Sequence, residues 1–185
     1  MFFDADRIDE FIVAACVPRD DHGAGSLEAA DSIRGTHPRA AADDIYAAAV
    51  VGDHAGVERM LEADGGRATA PGGPYGWDAL TYLCFSRYLR LRPSAGFVRA
   101  ARALLDAGAD PNTGFFESAH QPEPVFESAL YGAAGVAHHA ELTRLLLARG
   151  TDPNLGGEVA YHAPEGFDAR RCTRWWSRVG CPMRG

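Results

Sequence analysis

The chain has 185 residues, 46% apolar and 23% charged, with a formal net charge of -7; such a composition folds, and the length suits one domain or a short repeat array. The acidic balance argues against a dedicated nucleic-acid binder, because such domains present a basic patch. All 18 basic residues are arginine, and a chain without lysine has no Gly-Lys-Ser/Thr phosphate loop, no kinase lysine and no side-chain amine for a Schiff base.

In chain order, Ile8, Phe11, Ile12 and Ala15 fall on one helical face, and Leu27, Ala30, Ile33 and Arg34 mark a second helix closed by His37-Pro38. Residues 1–40 therefore read as a helical pair. Asp44 to Asp53 is a short Ala-rich helix with Gly52 at its C-terminal end, and Val57, Met60 and Leu61 form the apolar stripe of the helix that follows. Asp78-Ala79-Leu80-Thr81 opens a second unit. Its first helix is expected to run on through Leu91 and break at Pro93, and Val98, Ala101, Leu104 and Leu105 mark its second helix. A long loop follows, from Phe115 to Pro124. Ser128 to Gly135 then opens a third unit, His138-His139 forms its turn, and Leu142, Leu145 and Leu146 line its second helix. Val159 to Phe167 resembles the first half of a fourth.

These units are copies of one another. Leu104 to Asn112 returns about 42 residues later as Leu146 to Asn154, with Gly-Ala-Asp-Pro-Asn answered by Gly-Thr-Asp-Pro-Asn, and a weaker copy lies at Met60 to Gly65. In each, glycine can supply a left-handed cap, and proline prevents the helix from continuing. The pattern resembles the ankyrin-repeat family, of the bacterial type, over roughly Asp43 to Phe167. The resemblance is strongest in the segments Gly108 to Asn112 and Gly150 to Asn154. It implies an all-α ankyrin-repeat solenoid of helix-turn-helix units with β-turn fingers. Residues 1–40 would be the N-terminal helical cap and residues 41–168 about three repeats plus a partial fourth. The chain departs from the family in two ways. Its units exceed the usual ~33 residues. The Thr-Pro-Leu-His start is degenerate at Asp78-Ala79-Leu80-Thr81, Ser128-Ala129-Leu130-Tyr131 and Val159-Ala160-Tyr161-His162, which should loosen hydrogen bonding between units.

Residues 169–185 break the pattern. They hold five arginines, no acid, Trp175-Trp176 and two cysteines, where an outer helix should stand. With GC-rich codons for Arg171 through Met183, a two-base shift reads Leu-His-Ala-Leu-Val-Glu-Ser-Gly-Arg-Leu-Pro-Asp, an amphipathic helix with a glycine stop. The tail is thus expected to be an out-of-frame reading of the missing helix, leaving a frayed end from about Glu158; the other reading is a basic, aromatic binding tail. The gene's nucleotide sequence distinguishes them.

The resemblance implies a cytoplasmic protein–protein interaction module that binds an unknown protein partner through its concave face. Aromatic side chains dominate interface energetics, so the candidate partner-binding residues are Tyr75, Trp77, Phe85, Tyr88, Phe115, Phe116, His120 and His138, with core packing as the competing role for each ring. His138-His139 is expected to be turn structure; the alternative is a small-molecule or metal-binding groove near His120, His138 and His139. A truncated, nonfunctional product is a further alternative. The H-x-E spacing at His139 lacks the P-C-x-x-C of zinc deaminases, and no H-E-x-x-H, G-x-S-x-G or G-x-G-x-x-G motif occurs. Asp110-Pro111-Asn112 and Asp152-Pro153-Asn154 read as turns in which side chains satisfy local amides. Cys16, Cys84, Cys172 and Cys181 form no C-x-x-C pair and are expected to be free thiols in a reducing cytosol. No basic n-region or ~20-residue apolar run occurs, so neither a signal peptide nor a membrane span is expected. No enzyme activity, cofactor, metal or nucleic-acid partner is expected, and the chain is expected to be a monomer.

Overall fold

The computed structural model describes residues 5–17, 26–36, 42–117 and 122–162. Side-chain caps set where the helices begin, because the first amides of a helix have no partner within it. Asp44 accepts from the Ala47 amide at 2.7 Å and opens α3 (Ile45–Val51). Asp53 accepts from Gly56 at 3.1 Å and opens α4 (His54–Ala63). Asp78 accepts from Thr81 at 3.0 Å and opens α5 (Ala79–Cys84). Gly52, at φ 70°, ends α3 in the left-handed conformation that the sequence assigned to it.

Before these lie α1 (Ala5–Ala15) and α2 (Leu27–Thr36), which pack on each other, and α1 also meets α3. After α5 come α6 (Arg87–Leu91) and α7 (Ala95–Asp106), strands β1 (Gly114–Glu117) and β2 (Val125–Ser128), α8 (Ala129–Tyr131), a π turn at Gly132–Val136, α9 (Ala140–Ala148) and α10 (Glu158–His162). The first helices of the three pairs pack in succession, α3 on α5 and α5 on α8, and so do the second helices, α4 on α7 and α7 on α9. Small residues permit the approach. A Cβ on Gly96 would lie 2.3 Å from the Gly52 carbonyl oxygen, and one on Gly132 would lie 2.8 Å from that of Cys84. Phe97 and Leu104 of α7 and Leu142 and Leu146 of α9 are fully buried.

The architecture is mostly helical with a small two-stranded sheet, so the all-α expectation is corrected. The long loop between the second and third pairs is a β-hairpin in which Phe115 pairs with Glu127 and Phe116 with Phe126. Opposed residues share a face and neighbours alternate, so Phe115, Glu117, Val125 and Glu127 face one way and Phe116 and Phe126 the other.

The long inner helix expected through Leu91 is also corrected. It breaks at Phe85-Ser86, because the Phe85 carbonyl accepts from the Val17 amide at 2.8 Å. Ser86 donates to the Val50 carbonyl at 2.6 Å and caps α6 by accepting from the Tyr88 amide at 3.1 Å. In α6, Tyr88 donates to Asp31 at 2.7 Å, and the Arg34 and Arg92 guanidiniums lie 5.7 and 5.8 Å from its ring centre. The insertion therefore fastens the N-terminal helical pair to the rest of the chain.

The third pair differs from the first in length. Ser128 caps α8, and the left-handed residue that ends the segment is His138 at φ 52°, two residues later than Gly52 stands relative to Asp44. The π turn takes up the surplus. Among the described residues, no helix is long and apolar enough to cross a membrane. The tail at 169–185 lies outside the described residues, as does everything after His162; of the segment expected to fray from about Glu158, only α10 is described, and it packs on the π turn.

Candidate functional site

Rings from the first finger loop, the inner helices and the hairpin converge on Trp77. Its ring stacks on Phe115 at 4.2 Å and 16°, and it lies 4.7 Å from Tyr75, 5.1 Å from Tyr82 and 6.0 Å from Phe85. Phe85 meets Phe115 edge-on at 4.9 Å and Tyr131 at 6.2 Å. The tyrosine hydroxyls hold the finger loop down. Tyr82 donates to the Gly72 carbonyl and accepts from the Tyr75 amide, both at 2.9 Å, and Tyr46 donates to the Ala70 carbonyl at 3.1 Å. Burial pushes the Tyr82 phenol above its ordinary pKa.

Half of the candidate partner-binding residues take their competing role, core packing, in this geometry. Phe85 is fully buried, and Tyr88, Trp77 and Phe115 retain 4–5% exposure, so these four are core. Trp77, Phe85 and Phe115 enclose one another where the hairpin meets α5, and Tyr88 is enclosed by the N-terminal helical pair through Phe11 and Asp31. Burial, and then the hydrogen bond given to Asp31, pushes the Tyr88 phenol up to about 12. Of the remaining candidates, Tyr75 is half-buried and Phe116 is 58% exposed. His120 lies outside the described residues.

Phe116 does not stand alone. Phe126 meets it edge-on at 5.2 Å on the same hairpin face; Pro122, Glu123 and Pro124 are exposed between the two strands, and Asp110 is exposed in the turn before β1. Phe126 is not among the residues the sequence singles out, although strand alternation opposite Phe116 locates it; nor are Glu117 and Glu127, buried on the Phe115 face, or Leu91, exposed at 62% on α6.

The finger bases are tied to each other. Asn112 and Asn154 donate their amides to Asp110 and Asp152 at 2.8 and 2.9 Å, the turn chemistry expected. In addition the Asn112 side chain accepts from the Asp152 amide at 2.8 Å, and Thr151 donates to the Pro111 carbonyl at 2.9 Å. One pair earlier, Thr113 donates to Asp78, and the Thr81 and Thr113 hydroxyls lie 3.1 Å apart. The degenerate unit starts have thus not removed cross-unit hydrogen bonds.

The two adjacent histidines are turn residues. His138 takes the left-handed position with Nδ1 2.9 Å from the Ala134 carbonyl, and His139 caps α9. Among the described residues no group of three or more His, Cys, Asp or Glu side chains is placed to hold a metal ion. Cys16 and Cys84 are buried free thiols whose pKa burial raises, the opposite of an activated nucleophile. No family model, curated protein or solved structure matches the chain.

Proposed function

We propose that the chain is an ankyrin-type solenoid that works as a cytoplasmic, monomeric protein-binding module, docking its partner on the finger side rather than catalysing a reaction. The observation that carries this reading is exposed Phe116, paired edge-on with half-buried Phe126 on the hairpin between the second and third helix pairs. Two features support the architecture: pairs of helices follow one another with like helices packed in succession, and Asn112 and Thr151 link consecutive Asp-Pro-Asn turns. A pair of rings with one exposed face suits an apolar anchor from a partner, and exposed Asp110 before β1 and Glu123 between the strands favour basic residues flanking that anchor.

The test is quantitative capture from cell extract on the immobilised protein, with Phe116→Ala and Arg102→Ala run in parallel. Arg102 is exposed on α7, outside the hairpin. The reading expects a protein retained by the wild type and by Arg102→Ala and weakened about tenfold by Phe116→Ala, the effect of removing an interface anchor. A retained protein indifferent to Phe116 and lost with Arg102→Ala would place binding on the outer helices and overturn the finger assignment.

A further inference from the structure

The outer helices of the first and third pairs start in different ways. Asp53 caps α4 through a carboxylate oxygen, whereas His139 caps α9 through a ring nitrogen, its Nδ1 accepting from the Leu142 amide at 3.2 Å. An amide can only donate, so His139 Nδ1 must be bare and the ring proton must sit on Nε2. His138 has the reverse arrangement. Its Nδ1 faces the Ala134 carbonyl, which can only accept, so its Nδ1 carries the proton. Acidification therefore acts on the two rings differently. A second proton on His138 goes to Nε2 and leaves its hydrogen bond intact. A second proton on His139 goes to Nδ1, where the acceptor becomes a donor pointing at a donor. It also sets a cation at the N-terminal end of α9, the wrong sign for the helix dipole.

We propose that His139 is a pH-sensitive fastener: its protonation on mild acidification releases the first turn of α9 and loosens the third helix pair while the α4–α7 packing stays in place. The surroundings favour release. The ring is half-buried, and burial lowers its pKa below the ordinary histidine value. Two smaller effects pull the other way, a hydrogen bond of the ring to its own backbone and then the charge of Glu141 on the same helix. Of the elements packed against α9, the π turn carries no titratable side chain and α8 carries Tyr131. Helix α7 carries Arg99, Arg102 and Asp106, and Asp106 is bound to Arg149 at 2.7 Å, at the far end of α9. What α9 holds in place is the third pair's apolar stripe, Leu142, Leu145 and Leu146, which packs toward α7.

Hydrogen exchange on the full chain at about pH 7 and about pH 5.5, corrected for intrinsic exchange, tests this. Protection of the α9 amides should fall about fivefold relative to α4, the equivalent of losing one cap. His139→Asn, which caps without titrating in this range, should abolish the fall, and His138→Asn should leave it unchanged. An α9-to-α4 ratio that does not move with pH in the wild type overturns the proposal, and so does a fall that persists in His139→Asn. Nitrogen-15 spectra of the wild-type imidazoles give a reading that needs no variant. The neutral His139 ring should carry its proton on Nε2, and a proton on Nδ1 would remove the basis of the proposal.

Discussion

Trp77 and Phe116 are both aromatic and both belong to the finger loops, yet the structure gives them opposite roles, and truncating each to alanine separates those roles. Trp77 is 5% exposed and touches four rings. Removing a buried aromatic side chain costs about 3–5 kcal/mol in transfer and cavity terms, and lost ring-pair geometry adds about 0.5–1.5 kcal/mol. Because a domain of ordinary stability has only about 5–15 kcal/mol in total, Trp77→Ala should remove about a quarter of the margin or more. Phe116 is 58% exposed and contacts Phe126, so Phe116→Ala should cost less than about 1 kcal/mol. Urea unfolding followed by far-ultraviolet circular dichroism measures both, and it avoids tryptophan fluorescence, which the first substitution itself alters. A Trp77→Ala loss below about 1 kcal/mol, or a Phe116→Ala loss above that of Trp77→Ala, would refute the division into core and surface.

Three further outcomes follow from single contacts. Gly52→Ala should destabilise by about 2–4 kcal/mol, since the left-handed backbone disfavours a Cβ and the new methyl would sit 2.8 Å from the Phe97 ring; the thermal midpoint reads this directly. Tyr82→Phe should cost about 1–3 kcal/mol by stranding the Gly72 carbonyl and the Tyr75 amide, with the loss confined by hydrogen exchange to the first finger. Below neutral pH the wild type should lose stability relative to His139→Asn. The His139 pKa is lowered in the fold, so the unfolded chain takes up the proton first, and the stability present above the unfolded value of about 6.5 is lost as pH falls below that value and through the lower folded one. Urea midpoints across that window would show it.

The helical pairs were legible because their signals are local. Asp44, Asp53 and Asp78 cap within three residues of themselves, and leucine spacing reports which helix face is inside. The hairpin was not legible, because the pairing of Phe115 with Glu127 joins residues separated by a proline-containing loop, and only their encounter defines the strands. Nor was ring burial. Trp77 and Phe116 look alike in the sequence, and what distinguishes them is the fold of the hairpin over α5. The break at Ser86 depends on the Val17 amide reaching the Phe85 carbonyl from far along the chain. His139 was recognised as a turn residue but not as a cap, since histidine is outside the usual capping set of Ser, Thr, Asp and Asn.

The stacked architecture is tested most directly by pairwise distances between spin labels placed at Glu58 on α4, Arg102 on α7 and Arg144 on α9, with the native cysteines replaced. Neighbouring packed helices lie about 8–10 Å apart. A row therefore gives an α4–α9 distance close to the sum of the α4–α7 and α7–α9 distances. Three similar distances would mean that the outer helices close into a bundle and would contradict the account.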